Sequence, residues 1–369
     1  MKEGWEYKKL IDVCDVYQPK TISTSKLVNN GPYYVYGANG IIGKYINFNH
    51  EESEVLLTCR GASCGNINVS KPKSWINGNA MVIHPLNEKI TKEYLSYYLK
   101  VIDYSKVITR AAQPQITRSS LSDTFILYPS IDEQRRIVSY LDSSFKLIDE
   151  IKNKALKSLT EAKALFQSAL AEAMEPKEGW EEKTLGELCS IIGGGTPSKK
   201  NSSYYNGDIP WATVSDMNCD YLQNTICKIS DDGVKNSSTQ IISKNEVIIA
   251  TRVGLGKVCI LCQDTAINQD LKGIIPKSDN KLIRKFIFWW FRSKSNYIVS
   301  NGVGATVKGV KLSFVSNLKI SLPTISTQKQ IVSHLDSLSS KVRAIEEKYQ
   351  KMVEECDALK QAMLRDVFE

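Results

Sequence analysis

The stretch PSIDEQRRIVSYLDS at residues 129–143 returns at residues 323–337 as PTISTQKQIVSHLDS. Each copy sets a glutamine (Gln134, Gln328) three residues before an Ile-Val pair, followed by Ser, a variable residue and Leu-Asp-Ser. After the second copy, Ile331, Leu335, Leu338, Val342, Ile345, Tyr349, Met352, Cys356, Leu359 and Met363 keep a 4-3 spacing. That spacing predicts a helical seam that packs on another helix. After the first, Ile137, Leu141, Phe145, Ile148, Ile151, Ala155, Leu159, Ala162, Phe166, Ala169 and Ala173 lie nearer to a period of 3.6. Neither run contains Pro or Gly. A single helix over 132–174 would span roughly 64 Å, which makes it a spacer as much as a core element.

Outward from these runs, KEGWEYKKLIDVC begins at Lys2 and KEGWEEKTLGELC at Lys177, so half of the protein is repeated. Each half is predicted to hold a globular segment and then a long helix, giving domains at 1–130, 131–175, 176–322 and 323–369. Between the shared anchors the second globule is longer by nineteen residues. Strands are expected over 35–48, 54–69, 245–261 and 264–275, where β-branched residues alternate with Gly and Asn. TKEYLSYYLKVI (91–102) and KLIRKFIFWWFRS (281–293) read as matching helices. The expected fold class is α+β, with two similar mixed domains separated by two long helices. A compact segment of this length has a radius of gyration of roughly 15 Å, too short to run back along the first helix. The helices are therefore expected to pack as an antiparallel coiled coil with pseudo-two-fold symmetry.

The formal net charge is +8, and 42% of residues are hydrophobic, as in a folded protein. The two helical runs each carry −1, while residues 1–130 carry +4 and 176–322 carry +6. All of the positive excess thus lies in the globules, the pattern of a polyanion-binding surface, although proteins that bind no nucleic acid also carry such an excess. No window approaches eighteen consecutive apolar residues and MKEGWEYKK lacks a signal-peptide core, so a cytoplasmic protein without membrane contact is expected. The nine cysteines are scattered, which suits reduced thiols. Cys259-Ile-Leu-Cys262 has neither a second pair nor a nearby histidine, so no metal site is expected.

No catalytic constellation is present. GANGIIGKY (37–45) and RVGLGKV (252–258) lack phosphate-loop spacing, and His50, His84 and His334 are far apart in the chain. No NPPY-like tetrapeptide for amino-methyl transfer and no Pro-Asp dipeptide for a nuclease site occurs, which counts against a single-chain nuclease-methylase. Binding chemistry remains. Arg60 and Arg252 end strand-like runs and enter Gly-rich turns, where a guanidinium can fork onto guanine or a phosphate, or simply form a salt bridge. GGGTPSKK (193–200) supplies Thr196, Ser198, Lys199 and Lys200 with close backbone approach, or is a plain flexible loop. TRAAQPQITRSS (109–120) holds Arg110, Gln113, Gln115 and Arg118; its counterpart (301–313) holds Thr306, Lys308 and Lys311. Both are candidate contact loops, or solvated linkers. Lys44 and Lys257 complete the candidate DNA-binding set, and the candidate helix-packing set is Ile137, Leu141, Ile148, Leu159, Ile331, Leu335, Leu338, Val342, Ile345, Met352 and Leu359.

In this order and doubled, the motifs resemble the specificity subunit of Type I restriction-modification systems. The resemblance is carried by KEGWE at both openings, YVYGANGIIG (34–43), TCRGASCG (58–65), GGGTPS (193–198) with YYNGDIPW (204–211), ATRVGLG (250–256), and the two proline-led helix starts. One departure is Ser326-Thr327 before Gln328, where the first copy has the more usual acidic Glu133 before Gln134. The resemblance implies a non-catalytic chain whose two target-recognition domains each read half of a split site on double-stranded DNA, with the helices fixing the gap. It implies docking of two adenine-methylating modification subunits, joined by motor-nuclease restriction subunits. S-adenosylmethionine, ATP and Mg would belong to those partners, with no cofactor in this chain. The competing expectation is a non-catalytic coiled-coil adaptor whose globules bind protein or carbohydrate ligands.

Overall fold

A computed structural model describes residues 4–109, 113–304 and 307–369. The chain forms two compact units, Met1–Leu156 with Tyr349–Glu369, and Lys157–Lys348. The helical runs at 131–175 and 323–369 are thus not separate domains, because each is shared between the two units.

In the first unit, β1 (Glu6–Lys9) leads through the single turn α1 (Leu10–Val13) into β2 (Cys14–Tyr17). The hairpin β3 (Tyr33–Gly37) and β4 (Gly40–Tyr45) follows, then β5 (Val55–Thr58), β6 (Ile67–Val69), β7 (Trp75–Ile76), β8 (Ala80–Pro85), α2 (Lys92–Tyr98) and β9 (Phe125–Tyr128). β1 pairs antiparallel with β9, Glu6 opposite Tyr128. The other strands form two sheets, in the orders β2-β8-β5-β6 and β4-β3-β7. All four residues of β5 are buried, as an unbroken apolar run in a central strand requires. The long helix α3 (Ile131–Ala173) then begins.

The second unit repeats the plan. β10 (Glu181–Thr184), the turn α4 (Leu185–Leu188), β11 (Cys189–Gly193), β12 (Ile209–Ala212), β13 (Tyr221–Leu222), β14 (Cys227–Ile229) and α5 (Asp231–Lys235) come first. They are followed by β15 (Gln240–Ile242), β16 (Val247–Ala250), β17 (Val258–Leu261), β18 (Thr265–Ile267), β19 (Leu271–Pro276), α6 (Arg284–Ser300), α7 (Leu312–Ser316), β20 (Lys319–Leu322) and α8 (Ile325–Phe368). β10 pairs with β20, and the sheets run β11-β19-β16-β17-β13 and β14-β12-β18-β15. The first-unit orders recur, each with one added edge strand. β13 and β15 lie between β12 and β16, which accounts for most of the longer second globule.

Within the first unit the start of α3 runs antiparallel to the end of α8: Asp149 meets Lys360 and Lys152 meets Asp357, each at 2.6 Å. Ile137 and Leu141 share a core with Leu364, Phe368, Tyr94 and Leu95. Within the second unit Lys163 meets Glu346 at 3.6 Å, and Phe166 and Leu170 share a core with Val332, Leu335 and the buried aromatic run Phe286–Phe291. Ile148 is also buried, whereas Leu159, Ile331, Leu338, Val342 and Met352 are half-buried. Two seam expectations need correcting: Ile345 is 39% exposed and Leu359 50%. A heptad ridge drifts about 20° per heptad around a straight helix. Cys356 of the expected seam stays buried, but beyond it the covered stripe moves to Leu364 and Phe368. Among the described residues no helix is long and apolar enough to cross a membrane.

Candidate nucleic-acid interface

Two buried glutamines hold the loops that flank each long helix. Gln134 is fully buried; its Oε1 accepts the Thr91 backbone N–H at 2.9 Å, and its Nε2 donates to the carbonyls of Lys89 (2.7 Å) and Pro129 (2.9 Å). Gln328 repeats this: Oε1 accepts from Ile283 N–H at 2.9 Å and Nε2 donates to Lys281 and Pro323 at 2.9 and 3.0 Å. A buried amide is tolerable only when so satisfied. This is why the proline-led motif carries glutamine at that place. Each clamp joins the first turn of the long helix to the segment that opens α2 or α6.

A second repeated contact lies beside it. Glu54 is buried and receives Lys92 at 3.2 Å and His84 Nδ1 at 2.8 Å. In the other half Glu246 receives Arg284 at 2.7 Å through Oε1, and its buried Oε2 has no partner. Ile275 stands where His84 stands, one residue before the proline that ends the strand, so the histidine's hydrogen bond is lost.

The arginines singled out by the sequence sit at corresponding points on these scaffolds. Arg60 follows β5 and forms an isolated antiparallel bridge with Gln115. Around it, Ile116 N–H donates to the Cys59 carbonyl (3.0 Å) and Cys59 N–H to Asn79 (3.3 Å). Arg252 follows β16 and bridges Gly309. There Val310 N–H donates to Thr251 (2.9 Å) and Thr251 N–H to Asp270 (2.8 Å). In each half, then, the end of the central strand, the turn before β8 or β19, and the loop leading toward the long helix converge on an exposed arginine.

Of the other first-half candidates, Gln113 and Arg118 are exposed, and Lys44 lies on β4 with its ammonium 5.6 Å from the Tyr34 ring, where Lys71 also stands at 4.5 Å. Arg110 and Thr306 lie outside the described residues. In the second half Thr196 hydrogen-bonds Gln269, next to the Asp270 that pairs with Arg252 at 3.6 Å. Ser198, Lys199, Lys200, Lys308 and Lys311 are exposed. Lys257 is committed inward, its Nζ donating to Asn218 Oδ1 (3.0 Å) and the Val214 carbonyl (3.3 Å).

The close approach granted by the GGGTPSKK glycines serves the protein's own backbone. A Cβ on Gly194 would fall 2.2 Å from the Ile267 carbonyl oxygen, and one on Gly195 2.3 Å from Ser238 Oγ. This loop is thereby sealed onto the β18–β19 turn. The sequence reading also passed over Lys272 and Gln269, which that turn carries to the same spot. Lys272 Nζ donates to the Gln269 carbonyl at 2.8 Å, and burial holds its pKa below the usual lysine value, with Asp270 opposing the shift and Arg252 reinforcing it. The repeat of INGNAMVI as INQDLKGI was the available signal. In the first half the same turn is gripped by Gln18, whose Nε2 donates to the Gly78 carbonyl at 2.9 Å.

The two halves that carry these arginine loops match a known family. The profile described as "Type I restriction modification DNA specificity domain" matches residues 2–161 and 177–355. The chain belongs to this family. Each matched segment contains one arginine loop. Among its relatives the EcoR124I/EcoR124II specificity subunit of Escherichia coli is 30% identical over 233 residues, 61% of this chain and 56% of that one, so the alignment spans little more than half of the relative's length. The putative MjaX specificity subunit of Methanocaldococcus jannaschii is 24% identical over 95% of this chain and 90% of its own. The fold is similar to a chain from a solved structure concerned with assembly and conformational transition of the type I R-M system, at TM-score 0.78 and 19% identity, covering 100% of this chain and 98% of that one. It is also similar to the HsdS subunit from Thermoanaerobacter tengcongensis at TM-score 0.56 and 19% identity, covering 100% and 97%. None of these matches supports the adaptor alternative.

Proposed function

We propose that this chain is the non-catalytic DNA-recognition subunit of a Type I restriction-modification complex, in which each globular segment reads one half of a bipartite site. The observation that carries the proposal is the recurrence, at corresponding residues of both halves, of an exposed arginine locked by backbone pairing to the loop leading toward the long helix (Arg60 with Gln115, Arg252 with Gly309). An arginine on a rigid edge is the residue type best suited to fork onto guanine O6 and N7 or onto a phosphate. The basic excess of the globules supplies sequence-independent attraction.

The two long helices act as the spacer, an antiparallel coiled coil that sets the number of unread base pairs and offers a docking face for two adenine-methylating modification subunits. Exposed apolar residues on them, Tyr140 and Leu147 on α3 and Ile345 and Leu359 on α8, suit that second role. Restriction subunits join through the assembled complex. S-adenosylmethionine, ATP and Mg bind the partners. The decisive experiment is co-expression with the modification subunit, followed by sequencing of methylated adenines. A motif of two short blocks separated by a fixed gap is expected, and methylation at one undivided block would refute the proposal.

A further inference from the structure

The two arginine loops differ by one residue whose presence the fold does not explain. After Arg60 comes Gly61, at φ +87°, a left-handed conformation that glycine adopts freely. After Arg252 comes Val253 at φ +36°, where a β-branched residue is strongly disfavoured. Val253 is also 50% exposed, so burial gives little return for that backbone conformation. Neither the backbone nor the core favours valine at this position. Val303 is 81% exposed and bridges Gly309 on the side opposite Arg252, and Val307 is 42% exposed. Gly309 leaves room for the arginine stem, since a Cβ there would lie 3.0 Å from Arg252 Cγ. Three exposed valines thus lie on the two segments that meet where Arg252 bridges Gly309, with the exposed Lys308 and Lys311 on the second of them.

We infer that Val253 contacts the C5-methyl group of a thymine next to the base addressed by Arg252. The inference rests on the DNA-reading function above. An exposed valine next to an arginine, with exposed lysines on the adjoining segment, complements a duplex, whose phosphates take the cations while base edges take the apolar contact. In the major groove the apolar mark that distinguishes one base from the others is the thymine methyl. Among the described residues of the first half's arginine loop, Gly61 stands where Val253 stands, with Gln113 and Gln115 on the adjoining stretch. Methyl reading is therefore a property of the second half.

The test is a binding selection with the full chain on random-sequence duplexes prepared in two pools, one containing thymidine and one deoxyuridine. The expected result is a position in one half-site where preference falls about fourfold when the methyl is removed, the effect of losing one buried methyl. Val253→Gly and Val253→Ala should abolish that difference while leaving the other half-site unchanged. The same consensus from both pools overturns methyl reading, and so does thymine preference that survives both substitutions. Failure to enrich any sequence in either pool overturns the DNA-reading function itself, and methyl reading with it.

Discussion

The backbone N–H of Thr91 is 2.9 Å from Oε1 of Gln134, and the same side chain donates to two carbonyls on separate segments. Two segments distant in the chain, 89–91 and 129–134, are thus closed by one amide, and Gln328 does the same for 281–283 and 323–328 in the second half. Replacing Gln134 or Gln328 by Leu would strand one N–H and two carbonyls in the interior. A loss of about 1–3 kcal/mol is expected for each, read as a lowered urea midpoint. Gln134→Glu should be worse than Gln134→Leu, because it turns a double donor toward two carbonyls into an acceptor.

Gly61 has no atom within 4 Å of where a Cβ would stand, yet its φ is +87°. Gly61→Val should therefore destabilise by about 1–2 kcal/mol through backbone conformation alone. Val253→Gly should raise the midpoint or leave it unchanged. Thermal unfolding of the two variants side by side checks this contrast.

Both ring nitrogens of His50 are engaged: Nδ1 donates to Asn49 Oδ1 at 2.7 Å, which leaves Nε2 of the neutral ring to accept from the Tyr17 hydroxyl at 3.0 Å. Burial holds its pKa below the ordinary 6.5; Glu54 pulls the other way, while His84 and Lys92 reinforce the lowering. Between the folded and unfolded values the unfolded chain binds the extra proton, so stability must fall as pH drops below about 6.5 and level off once the folded value is passed. His50→Gln should flatten that part of the stability profile, measured by denaturant titrations across mildly acidic pH.

Arg60→Ala and Arg252→Ala should each weaken binding by about 1–3 kcal/mol and relax the reading of one half-site only. Lys308→Ala, if it removes a phosphate contact, should instead weaken all sequences alike and reduce the salt slope by about one. Fluorescence anisotropy over a salt series separates the two behaviours. Unchanged affinity and site choice in both arginine variants would reassign them to structural roles.

One helical turn inserted into α3 after Leu156 and into α8 after Lys348 adds about 5.4 Å to each helix. Against a base-pair rise of about 3.4 Å, the methylated motif should gain one or two unread positions. A gap that stays fixed would remove the spacer role.

Much of this was readable before any coordinates. The doubled KEGWE and proline-led motifs revealed two halves. Short runs rich in β-branched and apolar residues, bounded by Gly and Asn, located β5 and β16, and helical periodicity located α3 and α8 to within a residue or two, because such patterns are local consequences of backbone geometry. The arginines were visible as strand-ending residues. Their surroundings were not. Lys272 looked like an ordinary strand lysine until the β18–β19 turn brought it beside Asp270 and Arg252.

What the sequence by itself determined is therefore the repeat, the class of each element and the chemistry of the two arginine turns, all of which depend on residues close together in the chain. The tertiary structure alone decided that Arg60 pairs with Gln115 and Arg252 with Gly309, that Gly194 and Gly195 are filled by the protein's own loops, and that Ile345 and Leu359 face outward. Each of these depends on which distant segments meet. That is set by the summed packing of whole sheets and helices, and no local pattern records it.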